Sequence, residues 1–256
     1  MKRFWVHSVT ALTAIGGMAL LAPACAHNDS SFFLQGVLAP PQSSTNGCVF
    51  TSDPTQAEES SGVLDVGVTN SYFAEFLAGN QIIPQGNQEQ LMTETSRIVI
   101  QGAVVRIVDL VTGAQLANYT DVESGFLDPS NGTTPGYGPV GFMIVDPNTA
   151  ATLLNGGMGL TGLQPFESRA IVSYVKAFGT TLGGDYEETN TFGFKITACN
   201  GCLVQYTSLN PPACDPDVAP STTGPSLCFV GEDVPFDCHR CIGDPICLCG
   251  QDAPCP

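Results

Sequence analysis

The sequence predicts an all-β protein: an immunoglobulin-like antiparallel β-sandwich followed by a small disulfide-rich C-terminal module. Three observations predict it. Residues 62–198 alternate apolar and polar side chains at the period of strands. A long hairpin is centred on Gly183-Gly184. Nine of the eleven cysteines fall within residues 199–256. Six to eight strands with no long helix between them fit two packed sheets better than any layered α/β arrangement.

Four segments follow in order: residues 1–24 as a signal peptide, 25–61 as a polar tether, 62–198 as the sandwich and 199–256 as the cysteine-rich tail. Lys2 and Arg3 precede an apolar run from about Val9 to Leu21, too short for the ~20 residues that span a bilayer. The run ends in Leu20-Leu21-Ala22-Pro23-Ala24-Cys25. This stretch resembles the lipobox of bacterial lipoproteins, with small Ala24 before the cysteine and Ala22 where Leu is usual. Ala22-Pro23-Ala24 and Ala24-Cys25-Ala26 also suit ordinary signal cleavage. With its Cys-rich end, the chain resembles exported lipoproteins of Gram-negative bacteria. That resemblance implies a lipid on Cys25, and, because Ala26 is not Asp, a place at the outer membrane. The tether would be Asn28 to Ser61, with Pro40-Pro41 and several serines.

Within the sandwich, Gly62–Thr69 reads as a strand with Leu64, Val66 and Val68 on one face and Asp65, Gly67 and Thr69 on the other. Arg97–Asp109 is apolar in both phases: Ile98 and Ile100, then Ala103, Val105 and Ile107. A bulge at Gly102 would turn both sets inward. The run Gly132–Gly141 reads as an exposed loop that offers Tyr137 as a contact residue. Val140, Phe142 and Ile144 form a further stripe. One short helix is expected at Thr149–Asn155, capped by Asn148 or Thr149 and ended by Gly156. Arg169–Leu182 and Asp185–Ala198 then flank a two-residue turn, Gly183-Gly184, with positive φ tolerated at both glycines.

The tail holds Cys199, Cys202, Cys214, Cys228, Cys238, Cys241, Cys247, Cys249 and Cys255. Its two CxxC pairs invite a zinc reading, but thiols oxidise in an exported compartment. Leu203 and Ile242 stand where a c-type haem needs His, and the α/β setting of a redox CxxC is missing. Structural disulfides are therefore expected, each worth ~2–4 kcal/mol, with no cofactor and no bound metal. Nine is odd, so one tail cysteine should pair with Cys48, the remaining cysteine apart from Cys25.

Lys2 and Arg3 leave with the leader, so six basic residues face 24 acidic ones in the mature chain. Six dispersed cations make no basic patch, which excludes nucleic acid as a partner. No Asp-rich calcium loop of the EF-hand type appears. Among the histidines, His7 lies in the leader, His27 beside the anchor and His239 between Cys238 and Cys241, and no G-x-S-x-G elbow presents a nucleophile. The expectation is a non-catalytic envelope lipoprotein, structural or binding in role, held to the membrane by an N-terminal lipid. Its partner would be an envelope protein or a polysaccharide. The alternative is a hydrolase acting on polysaccharide through the carboxylates near the hairpin turn, Asp185, Glu187 and Glu188.

Overall fold

Two β-sheets face each other across a core of aromatic and branched side chains. The computed structural model describes residues 30–40, 48–56, 58–86, 92–205, 228–229, 231–234 and 236–237. The leader, Cys25, His27, Cys214, Cys238, His239, Cys241, Cys247, Cys249 and Cys255 lie outside the described residues. The strands in chain order are β1 (Phe32–Leu38), β2 (Glu58–Glu59), β3 (Gly62–Asp65), β4 (Tyr72–Asn80), β5 (Ile98–Asp109), β6 (Gln115–Asp121), β7 (Gly125–Leu127) and β8 (Gly136–Val145). After helix α1 (Pro147–Asn155) come β9 (Ser168–Thr181), β10 (Tyr186–Glu188), β11 (Phe192–Cys199), β12 (Val204–Gln205) and β13 (Phe236–Asp237).

The smaller sheet has the order β2-β1-β4-β8 and is antiparallel throughout. The larger runs β3-β11-β9-β5-β6, with β10 added to β9 and β7 to β5. Its β3 lies parallel to β11. No helix among the described residues is long and apolar enough to cross a membrane. Phe32 and Phe76 from one sheet and Phe194 from the other are fully buried between them, each stabilising by roughly 1.5–3 kcal/mol through removal from water. Phe76 also meets Phe142 at 5.9 Å and Phe192 edge-on at 5.6 Å.

The double-phase strand β5 is resolved by a register shift between Ile100 and Gly102. Ile98, Ile100, Ala103, Val105 and Ile107 are all buried as a result. Gly102 has φ 151, and a Cβ there would stand 2.2 Å from the carbonyl oxygen of Asp121. Only glycine fits that position.

Several expectations need correction. The segment 25–61 is not wholly a tether, because Phe32–Leu38 is a strand of the smaller sheet with Phe32, Val37 and Leu38 buried. Seven residues rich in apolar side chains bury enough surface to override their polar flanks. β3 ends at Asp65, where the amides of Val68 and Thr69 turn back onto the Asp65 carbonyl. Helix α1 starts earlier than expected: Asp146 is the cap and accepts from the Asn148 amide, with Pro147 in the first turn, where a missing N–H costs nothing. The hairpin loop has three residues, since Thr181 donates to the Asp185 carbonyl. Gly184 alone takes positive φ there, at 94°, the left-handed residue that closes such a loop. The returning strand is broken at Thr189, whose hydroxyl and amide both engage Ala177.

Candidate functional site

The residues singled out in the sequence are dispersed by the fold. Cys48 is joined to Cys228, its partner 180 positions away, and Cys199 to Cys202. Tyr137 is not on an exposed loop. It lies in β8, half-buried, with its ring edge-on to Phe33 at 6.1 Å. Glycine and proline suggested a loop, but β8 is an edge strand, where a proline such as Pro139 costs no ladder bond on its open side. The three hairpin carboxylates do not converge either. Glu188 is ion-paired with Lys176, which holds its carboxyl below the usual range. Glu187 accepts from the Ser31 hydroxyl at 2.7 Å, and Asp185 is exposed at the end of the loop.

Asp65, Cys199 and Cys202 bring one oxygen and two sulfurs within 4.8 Å of one another. The two sulfurs are spent on their own bridge. The Asp65 carboxylate accepts from the amides of Gly67 at 3.0 Å, Gly201 at 2.8 Å and Leu203 at 2.9 Å. These bonds make the trio a knot that fixes the chain after β11, rather than an open ligand set.

The tail returns to the sandwich at residues 228–234. Gly231 accepts from the Asp65 amide, and the Asp233 amide donates to Val63. Phe229 lies 5.7 Å from Phe73 and 6.3 Å from Phe50. Under these rings Asp233 accepts from the Val63 amide at 2.5 Å and from the Tyr72 hydroxyl. Glu59 lies against Asp233, and Glu232 accepts from the Phe73 amide at 3.0 Å. Burial, and then the Asp233 charge, push Glu59 up to about 8. Burial pushes Glu232 up to about 8 as well, against the opposing bond from Phe73. Burial raises Asp233 despite the bonds from Tyr72 and Val63. The pocket beside them is lined by Leu38, Phe50, Phe73 and Phe229 and is small. It has space for roughly one water, so the carboxyls clasp the tail to the sandwich.

A different feature emerges on the outer face of the larger sheet. Among the described residues five are basic, and four of them, Arg97, Arg106, Lys176 and Lys195, lie on this face. Strand parity puts them there: Arg106 faces Tyr174 across β5 and β9, Val104 faces Lys176, and Lys195 is opposite Val172. Aromatic rings lie among them. Phe126 and Tyr186 are 63% and 61% exposed, Val99 and Val104 37% and 41%. The Arg97 guanidinium sits 5.0 Å from the Phe126 ring centre and that of Arg106 4.3 Å from Tyr174, within the range of cation–π attraction. Phe178 stacks on Tyr186 at 6.5 Å. Opposite Tyr174 stands Gly193, where a Cβ would come within 3.4 Å of the ring.

The sequence reading missed this face because its cations are spread over about a hundred residues; strand pairing assembles them. Its signal was the bulge at Gly102, which brings Arg97 and Arg106, of opposite parity, to the outer face together, where the two arms of the hairpin add Lys176 and Lys195. Cations dispersed in the sequence thus share one face in the fold, two of them in ion pairs with Asp128 and Glu188.

No family model matches the chain, and no curated protein matches it. A solved structure, a protein from Archaeoglobus fulgidus, aligns with 51% of this chain and 86% of its own at 16% identity. Its TM-score of 0.26 is too low a likeness to carry a fold or a function.

Proposed function

We propose that the protein is a non-catalytic lipoprotein of the outer membrane, anchored through Cys25, that binds an envelope component on the outer face of its larger sheet. The observation that carries this reading is the outer-face array of exposed Phe126 and Tyr186 and half-buried Tyr174 and Phe178 among four cations. Large rings left in water on a sheet face are costly unless something covers them. The Cys48–Cys228 bridge supports an oxidising compartment outside the cytoplasm. Against the hydrolase alternative stand the separate engagements of Glu187 with Ser31 and of Glu188 with Lys176, which leave no pair poised across a bond.

Two measurements test the reading. The mass of the protein exported by a Gram-negative host should match a chain beginning at lipid-modified Cys25, and an unlipidated chain would remove the anchor. For binding, the soluble Cys25→Ser protein should sediment with isolated envelopes, and Phe126→Ala/Tyr186→Ala should release it. Equal sedimentation of the two proteins would exclude this face. Polysaccharide hydrolysis that disappears with Asp233→Asn while the fold persists would install the catalytic alternative at the tail clasp instead.

A further inference from the structure

We infer that the outer face of the larger sheet is a binding platform for an anionic polysaccharide, such as a polymer of uronic acids. The inference rests on the binding reading above and names its ligand class. Charge is the first argument. The chain carries a net charge of −16, yet four of the five described cations share one face. Two are already neutralised: Arg97 pairs with Asp128 at 2.5 Å and Lys176 with Glu188. Arg106 and Lys195 remain, both exposed, with Tyr174 on the strand between them. At physiological salt, charges more than ~8 Å away are largely screened. A ligand lying over Tyr174 therefore meets these two cations first, while the exposed carboxylates of Asp128 and Glu188 at the Phe126 and Tyr186 end stay in their ion pairs.

Shape is the second argument. The platform runs along β5 and β9 from Val99 to Arg106, about 20 Å at strand rise. A strip of that length suits an extended polymer whose repeating units each find the same kind of contact. Sugar rings present apolar C–H faces that lie on aromatic rings, here Phe126 and Tyr186 at one end and Tyr174 at the other, while their hydroxyls turn to side chains such as Gln101 and Asn118. A carboxylate borne on the sugar would take the fork of Arg106, whose guanidinium already lies 4.3 Å from the Tyr174 ring centre. Single-stranded nucleic acid also combines charge with stacking. The Cys48–Cys228 bridge favours the polysaccharide, because disulfides persist outside the cytoplasm.

Affinity electrophoresis of the full-length, oxidised protein tests this in gels containing polygalacturonate, neutral dextran, or a thirty-nucleotide oligothymidine. Polygalacturonate should retard the protein, and salt should weaken the effect. Arg106→Gln/Lys195→Gln and, separately, Tyr174→Ala should each weaken it at least tenfold while retaining the wild-type unfolding midpoint. Equal retardation by dextran, unchanged in Arg106→Gln/Lys195→Gln, would overturn the anionic ligand and leave the binding face standing. Retardation by oligothymidine without polygalacturonate would overturn the ligand class in the same way. Failure of every polymer, together with envelope sedimentation untouched by Phe126→Ala/Tyr186→Ala, would overturn both the ligand and the face.

Discussion

Asp65 has no contact with solvent, and its two carboxylate oxygens accept three backbone amides from two parts of the chain. A buried amide left without an acceptor costs about 1–3 kcal/mol. Asp65→Ala strands the amides of Gly201 and Leu203 at the point where the tail leaves β11, and of Gly67 in the turn after β3. The expected loss is about 3–5 kcal/mol by urea unfolding, for the sum of those stranded donors. A loss under about 1 kcal/mol would mean that the amides find water instead. Sequence reading put Asp65 on the face opposite Leu64 and Val66 because it alternates with them. Alternation describes a strand, and here the strand stops at Asp65. What buries the residue is a partner about 136 positions away, which no local pattern contains.

Elements whose information is local were legible. The two apolar phases of β5 called for a bulge at Gly102, and the register shift falls between Ile100 and Gly102. Val140, Phe142 and Ile144 line up in β8 as their spacing requires. Elements whose composition sends mixed signals were not. β1 was hidden by prolines and serines on its flanks, and the start of β8 by glycine and proline that an edge strand tolerates. The bulge gives the sharpest prediction at this scale. Gly102→Ala places a methyl against the Asp121 carbonyl in a backbone conformation that side chains avoid. It should cost about 2–4 kcal/mol in unfolding free energy. Gln101→Ala, beside it and exposed, should change the midpoint little. If both variants unfold together, the bulge does not hold the register.

At the scale of the whole molecule, residues far apart in sequence meet at two places, the cationic face and the tail clasp, and neither was legible for that reason. Glu59 and Asp233 come from opposite ends of the chain and are joined by the fold and by the bridge between Cys48 and Cys228. That bridge closes most of the chain into one loop, so Cys48→Ser/Cys228→Ser should lower stability by about 2–5 kcal/mol. An unchanged unfolding midpoint would show that the noncovalent contacts hold the tail alone. The clasp itself makes stability depend on pH. Folded Glu59 and Glu232 keep their protons up to about pH 8, whereas the unfolded chain releases them near 4.5. Between those values the native state binds more protons than the unfolded one, so stability falls as pH rises through that window. Asp109 works in the opposite sense at lower pH. Burial raises its carboxyl, but the amides of Thr112 and Val111 and the Arg169 guanidinium outweigh this and hold it below 3.8. Its stabilisation is present above 3.8 and is lost as pH falls through the lowered value. The melting temperature should therefore peak at about pH 4–5 and decline toward pH 8. Glu59→Gln/Glu232→Gln should flatten the decline and leave the acid limb in place, because neither substitution touches Asp109. A decline of equal slope in that variant would mean that the carboxyls under Phe229 titrate as exposed groups and that the tail is held by its bridge and its aromatic contacts.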